Sequence, residues 1–290
     1  MHRLLCLLIL LLTAPAFAQD DCQKLTHETL AAYGGLESLK NYPTQLQAQL
    51  NAQAGHDTSM SASERARFSE TVMKNISADR LIKHVETSIS TNCDVQQMRA
   101  VLADIKSPLV QKMRGLESVP NTPEGAEKLR QYLATPEAKN YPEKRKQLIN
   151  EMVATSDSTE ALVDTIIETS RGMLEGMGAP TATPEQVAEM RKRITAQADQ
   201  QMKETMLAIY RTASDDDLEA YVAMQKRPEF HAYNVAFMKA VASGMGIEAR
   251  TTGTALKALL EQITTERKKA DEQKAAPAAA PATPSPTTPK

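Results

Sequence analysis

The chain has 290 residues and a formal net charge of −2, which is long enough to bury a sizeable core. The mild acidic balance and the lack of a clustered basic patch argue against a nucleic-acid-binding surface. Residues that favour helices dominate, while glycine is scarce at 11 and tryptophan is absent. Because no segment alternates apolar and polar residues long enough for a strand, the sequence predicts an all-α fold.

The first 18 residues have the pattern of a cleaved signal peptide. Arg3 precedes an apolar run from Leu4 to Leu12, and Ala16 and Ala18 give the small-x-small pattern before the predicted cleavage. As a helix this run spans about 14 Å, which is too short for a bilayer core of roughly 30 Å. The sequence therefore predicts a protein of the periplasm or the medium. No later stretch is apolar enough to span a membrane.

Two cysteines remain once Cys6 leaves with the signal peptide. In an oxidising compartment Cys22 and Cys93 most simply form one disulfide, which would link the first mature helix to the turn that follows Cys93. A bridge over a loop of this length stabilises by about 4 kcal/mol in the chain-entropy model. Two free thiols or a redox pair are the alternative.

Two segments that lie 120 residues apart share a helix–proline–helix pattern. The first begins at Asp94 and restarts at Ser107-Pro108, and the second begins at Ser214 and restarts at Pro228. The matching pairs are Met98/Leu218, Val101/Tyr221, Leu102/Val222, Pro108/Pro228 and Val110/Phe230. Upstream, Leu30/Val153 and Leu39/Leu162 match at an offset of 123. The pattern predicts two tandem copies of one helical unit.

The predicted organisation follows from these copies and from composition. It comprises a signal peptide (1–18), a first helical unit (19–118), a helical bridge (119–147), a second helical unit (148–265) and a tail (266–290). The tail is charged at first and then almost only Ala, Pro, Thr and Ser, which predicts disorder because it has no large apolar side chain to bury.

Several polar residues are predicted to begin helices rather than to form sites. Three Thr-Pro-Glu triplets begin at Thr122, Thr135 and Thr183; threonine caps free amides, and proline suits the first helical position. Ser61 begins a capping-box pattern. The acidic run 215–217 has the charge that a helix N-terminus favours, so we interpret it as capping rather than as a cation site.

The segment Ser107-Pro108-Leu109, with the signal peptide and the helical pattern, resembles a bacterial family of unknown function. That family has a helix ending in an aromatic pair, followed by Ser-Pro-x-Gly at the next helix. Tyr221 and Pro228 look like a second instance, although the pair survives only as Tyr221. Large apolar residues stand near the family's glycine in both copies: Leu109 or Val110 in the first and Phe230 in the second. The resemblance implies export and a helical fold, and it supplies no catalytic residue.

Metal and catalytic motifs are weak in this sequence. His27-Glu28 begins like a zinc-protease motif, but Ala31 takes the place of the second histidine, so no zinc site is predicted. No phosphate loop, Gly-x-Ser-x-Gly or paired cysteine nucleophile is present, and no catalytic residue or cofactor is predicted; a triad assembled only in space would escape this search.

Methionines form two pairs at helical spacing, Met173/Met177 and Met202/Met206. Thioethers of this kind bind Cu(I) in exported proteins. The alternative, which we favour, is that flexible methionines fill gaps in a core that is poor in aromatic residues.

The leading functional hypothesis is a non-enzymatic interaction module with a protein partner in the cell envelope. A groove between the two copies, with an apolar stripe of Phe230, Tyr233 and Phe237, would receive a partner helix. The competing interpretation is that these aromatics belong to the core.

The second hypothesis is a carrier of a small apolar ligand or metal in a helical pocket, and an enzyme comes third. Neither the partner's identity nor the oligomeric state follows from the sequence.

Overall fold

A computed structural model describes residues 19–54, 60–91 and 93–275, and every regular element in these ranges is helical. The all-α prediction is confirmed. In chain order the helices are α1 (19–32), α2 (Gly35–Ala54), α3 (Ala62–Asn75), α4 (Ala78–Ser90), α5 (Val95–Ile105), α6 (Pro108–Ser118), α7 (Pro123–Leu133), α8 (Glu143–Thr155), α9 (Ser158–Met177), α10 (Pro184–Ile209), α11 (Asp215–Gln225) and α12 (Pro228–Ala275), with 3-10 turns at Val119–Asn121 and Pro136–Lys139.

Side-chain caps begin most of the predicted helices. Ser61 forms the expected capping box with Glu64, and Ser107 accepts a hydrogen bond from the Val110 amide at the start of α6. Thr122 and Thr183 cap α7 and α10. The third triplet differs, because its threonine, Thr135, caps no amide and precedes only a 3-10 turn.

Helix α12 is the long element against which much of the chain packs. It has 48 residues, with α9 running parallel to it on one side and α3 and α4 antiparallel on another. Glu248 is buried in its middle, where it accepts hydrogen bonds from Arg80 Nε at 2.9 Å and from the Ser77 amide at 2.8 Å. This carboxylate fixes the start of α4 against α12.

The predicted boundary of the disordered tail needs correction. Residues 266–275 are the last turns of α12 rather than part of a disordered segment. Arg67 donates to Glu266 at 2.7 Å and Arg267 donates to Glu64 at 2.7 Å, so two crossed ion pairs join this end of α12 to α3. The predicted signal peptide (1–18) and the Ala/Pro-rich end of the chain (276–290) lie outside the described residues.

Glycines allow α9 and α12 to approach until their backbones touch. A Cβ atom on Gly172 would lie 2.0 Å from the carbonyl oxygen of Gly246, and one on Gly176 would lie 2.1 Å from the carbonyl oxygen of Arg250. No side chain fits in these gaps, since real Cβ atoms do not approach other atoms so closely. The spacing of the two helices is therefore set by these glycines.

The two halves of the chain have closely matching helix bounds. Helices α5 and α11 each have 11 residues and lie 120 residues apart, and α2 and α9 each have 20 residues and lie 123 apart. The buried residues of α5 are Met98, Val101, Leu102 and Ile105; those of α11 are Leu218, Tyr221, Val222 and Gln225, again 120 apart. Tandem duplication remains a prediction, and these bounds are consistent with it.

The two cysteines lie at disulfide-bonding distance, with their Cα atoms 6.0 Å apart, as predicted. They join α1 to the turn before α5. The positions that match them in the second half hold Arg145 and Ala213, at offsets of 123 and 120. There Arg145 Nη2 donates to the Ala213 carbonyl at 2.7 Å and to Asp215 at 2.7 Å. Arg145 thus joins α8 to the turn before α11 in the second half. The cysteine pair joins α1 to the turn before α5 in the first half.

We predict that Gly172→Ala lowers the free energy of unfolding by about 2–3 kcal/mol, because its methyl group forces α9 and α12 apart. The control is Gly115→Ala on the exposed face of α6, where a Cβ meets no atom within 4 Å. That change is expected to stabilise by about 0.5–1 kcal/mol through helix propensity. Urea unfolding followed by circular dichroism measures both; equal effects of the two substitutions would contradict the close helix contact.

Candidate functional site

The predicted motif residues begin helices or belong to the core. Ser107 caps α6, and Pro108 and Pro228 occupy the first positions of α6 and α12. Tyr221 is fully buried.

The predicted partner groove along the aromatic stripe of α12 is wrong. Phe230, Tyr233 and Phe237 are buried, and each of their rings packs edge-on against the ring of Tyr33, with centroids 6.1–6.2 Å apart. The competing interpretation, that the stripe belongs to the core, is correct. Apolar periodicity identified the buried face of the helix, and α1 with its following turn covers that face.

The structure does not bring the histidines or the two methionine pairs together. His27 Nδ1 lies 2.6 Å from Glu86, and His231 Nδ1 lies 3.1 Å from the Thr155 carbonyl, while His56 falls outside the described residues. Within ranges 19–54, 60–91 and 93–275 no group of three or more His, Cys, Asp or Glu is placed to hold a metal. Met173 packs against Leu256 and its neighbours on α12, whereas Met202 and Met206 pack in the separate cluster of α8, α10 and α11.

A buried polar network lies where the two halves of the chain meet. Its centre is Glu117 on α6, which pairs with Arg114 one turn earlier. The same carboxylate accepts hydrogen bonds from the hydroxyl of Tyr210, at the end of α10, and from the hydroxyl of Tyr221 on α11, at 3.0 Å. Arg114 lies over the ring of Tyr33, 4.1 Å from its centroid, between α1 and α2. The carboxylate therefore connects α6, the end of α10 and α11, and Arg114 extends the network to Tyr33.

Burial sets the protonation of this network. It raises the pKa of Tyr33 to about 12 and also raises the pKa values of Tyr210 and Tyr221, with the negative charge of Glu117 as the next cause. Burial opposes the charge on Arg114, but Glu117 together with Tyr33 and Tyr221 outweighs it, and the pKa of Arg114 is raised. At neutral pH the three hydroxyls remain protonated and the guanidinium remains charged. These four groups are therefore hydrogen-bond donors at this pH.

A cavity of about 270 Å³, the tyrosine cavity, lies beside this network. Polar side chains from several helices line part of it, among them Arg114, Glu117, Gln225 and three serines, and apolar side chains of α8, α10 and α12 line much of the remainder. Arg114 Nε and Gln225 Oε1 are buried and have no hydrogen-bond partner among the described residues. Such unsatisfied atoms are uncommon in protein interiors and call for an explanation.

A larger cleft, the α2–α3 cleft, has a volume of about 1140 Å³ and lies between the second half of α2 and one face of α3. Half-buried Leu50, Phe68 and Met73 line it, and Gln47, Asn51, Arg65 and Lys74 lie at its polar margin. It shares no residue with the tyrosine cavity.

The sequence alone did not indicate that Tyr33, Arg114, Glu117 and Tyr210 form a polar network. An arginine and a glutamate three residues apart on a helix are the usual pattern of a solvated surface pair. Only the tyrosines that α10 and α11 place against α6 reveal that this pair is partly buried.

No family model matches the chain, and no curated protein or solved structure is significantly similar to it. Among the described helices, none combines the length and the apolarity needed to cross a bilayer. The resemblance to a family of unknown function therefore stays a prediction.

Two tyrosine substitutions are expected to have opposite effects. Tyr221→Phe removes a hydrogen bond to the Glu117 carboxylate and should lower the free energy of unfolding by about 1.5–3 kcal/mol. The Tyr233 hydroxyl is buried without a partner, so Tyr233→Phe should leave stability unchanged or raise it by about 1 kcal/mol. Urea unfolding of both variants gives the comparison. A loss in Tyr233→Phe as large as that in Tyr221→Phe would refute the assigned bonding.

Proposed function

We propose that the chain is an exported, non-enzymatic interaction protein that binds an apolar segment of a partner polypeptide in the α2–α3 cleft. The observation that carries this proposal is the cleft itself. Its volume of about 1140 Å³ exceeds the roughly 300–1,000 Å³ of typical small-molecule pockets, which favours a segment of polypeptide over a single small ligand.

The chemistry of the lining supports the same kind of occupant. Leu50, Phe68 and Met73 offer apolar contact area, while the exposed Ala66 leaves room for a side chain to enter between the helices. Arg65, Glu70 and Lys74 bring charges of both signs to the lining, so charge alone does not select a strongly acidic or basic ligand. A partner would instead be held by apolar anchor residues with polar contacts at the margin.

A binding role rather than a catalytic one is supported by the buried network. Its three tyrosine hydroxyls have raised pKa values, and two of them donate to Glu117. A general base near neutral pH requires a pKa close to the working pH, and these hydroxyls do not meet that requirement.

Export and duplication belong to the same proposal. The N-terminal sequence pattern supports cleavage after Ala18, and the Cys22–Cys93 pair is of the kind that forms in the periplasm. The matching bounds of α5 and α11, and of α2 and α9, support two tandem copies of one unit.

The experiment places a photo-cross-linking amino acid at Ala66 in the cleft or at Ala103, an exposed control position on α5. The full-length protein is expressed in its own cells, and the cross-linked peptides are identified by mass spectrometry. The proposal predicts a mature chain that begins at Gln19 and an adduct at position 66 to an apolar peptide, about tenfold above position 103.

Three results would contradict the proposal. Equal adducts at positions 66 and 103 would mean that the cleft is not a preferred contact. An adduct to a small molecule alone would favour the carrier hypothesis. A chain retained in the cytoplasm with residues 1–18 intact would remove export.

A further inference from the structure

The tyrosine cavity has the features of a second binding site, independent of the α2–α3 cleft. It lies among α6, α8, α10, α11 and α12, at the meeting of the two halves. Its volume of about 270 Å³ has room for roughly nine water-sized groups of about 30 Å³ each. That is enough for a small organic molecule.

The charges around the cavity disfavour an ionic ligand. Arg114 is the cationic residue among those that line it, and Glu117 is the anionic one; the two already form an ion pair. A second buried cation or anion would have no counter-charge, and leaving a buried charge uncompensated is costly. An uncharged molecule avoids this cost.

The unpartnered polar atoms define the hydrogen bonds that a ligand would make. Arg114 Nε is a donor, and Gln225 Oε1 is an acceptor on a side chain whose residue is only 8% exposed. A primary amide has the complementary pair of groups, a carbonyl oxygen that accepts and an N–H that donates. Carboxylates lack the donor and amines lack the acceptor at neutral pH.

Apolar side chains form much of the remaining wall, which also includes serines and Asn234. Met152, Val153, Met206, Ile209 and Phe237 surround the cavity. An aliphatic chain attached to the amide would contact these side chains, while the polar group faces Arg114 and Gln225.

We propose that the tyrosine cavity binds a small uncharged aliphatic amide, with its carbonyl on Arg114 Nε and its N–H on Gln225 Oε1. This proposal does not depend on the function proposed for the cleft, because the two sites share no residue. It also explains why a buried glutamine stands on α11 where the matching position of α5 holds the apolar Ile105.

The test titrates the oxidised protein with butyramide, and with butyrate and butylamine as charged ligands of similar shape. Near-ultraviolet circular dichroism follows the tyrosines, and calorimetry gives the dissociation constants. We expect saturable binding of butyramide, with butyrate and butylamine weaker by about tenfold or more. Absence of saturable butyramide binding, or equal binding of all three compounds, would overturn the proposal.

Two variants then identify the site. Gln225→Met keeps the shape of the side chain without its acceptor and is expected to weaken butyramide binding by about tenfold, with an unchanged or higher Tm. Gln131→Met, on the exposed face of α7, is the control and should bind like the unaltered protein. Unchanged affinity in Gln225→Met would show that butyramide binds elsewhere.

A crystal structure of the unaltered protein soaked in butyramide gives a result that does not depend on any variant. Density for the amide between Arg114 Nε and Gln225 Oε1 would support the proposal. Ordered waters alone on these two atoms would overturn it, and the orphaned groups would then be satisfied by solvent.

Discussion

The partly buried carboxylate of Glu117 makes the interactions on which the arrangement of the two halves depends. Arg114, Tyr210 and Tyr221 all direct donors at it, and they come from α6, α10 and α11. Through Arg114 the network also reaches the ring of Tyr33 between α1 and α2. A buried charge is tolerated only while its partners stay in place. These helices therefore keep fixed positions relative to one another. The wall of the tyrosine cavity is fixed with them.

The close contact of α9 and α12 complements this network. Gly172 and Gly246 bring the two backbones together, and Glu248 fixes α4 on another side of α12. The far end of α12 then joins α3 through exposed ion pairs, which contribute little to stability individually. The α2–α3 cleft thus lies away from the buried network. A ligand can bind there while the core keeps its packing. The two proposed sites are therefore separate in space as well as in sequence.

Local sequence signals predicted the local structure well. The helix starts at Ser61, Asp94 and Ser107 were recognised because a cap depends on residues within one turn. The pairing of Cys22 with Cys93 followed from there being only two cysteines after residue 18. Long-range packing was less predictable. The aromatic stripe of α12 is apolar whether it faces a partner or its own core, and only the position of Tyr33 shows which. The charged segment 266–275 has no large apolar side chain, so its helical structure, paired with α3, was not predicted.

The most direct test of this account is the free energy of unfolding of Glu117→Gln. The substitution keeps the size of the side chain but leaves the Arg114 guanidinium without its counter-charge. We predict a loss of about 2–4 kcal/mol in urea unfolding, because the pair is partly buried. Glu124→Gln, which removes an exposed carboxylate paired with Lys128, is the control and should leave the free energy of unfolding unchanged. A loss below about 1 kcal/mol in Glu117→Gln would contradict the claim that this carboxylate holds the two halves together.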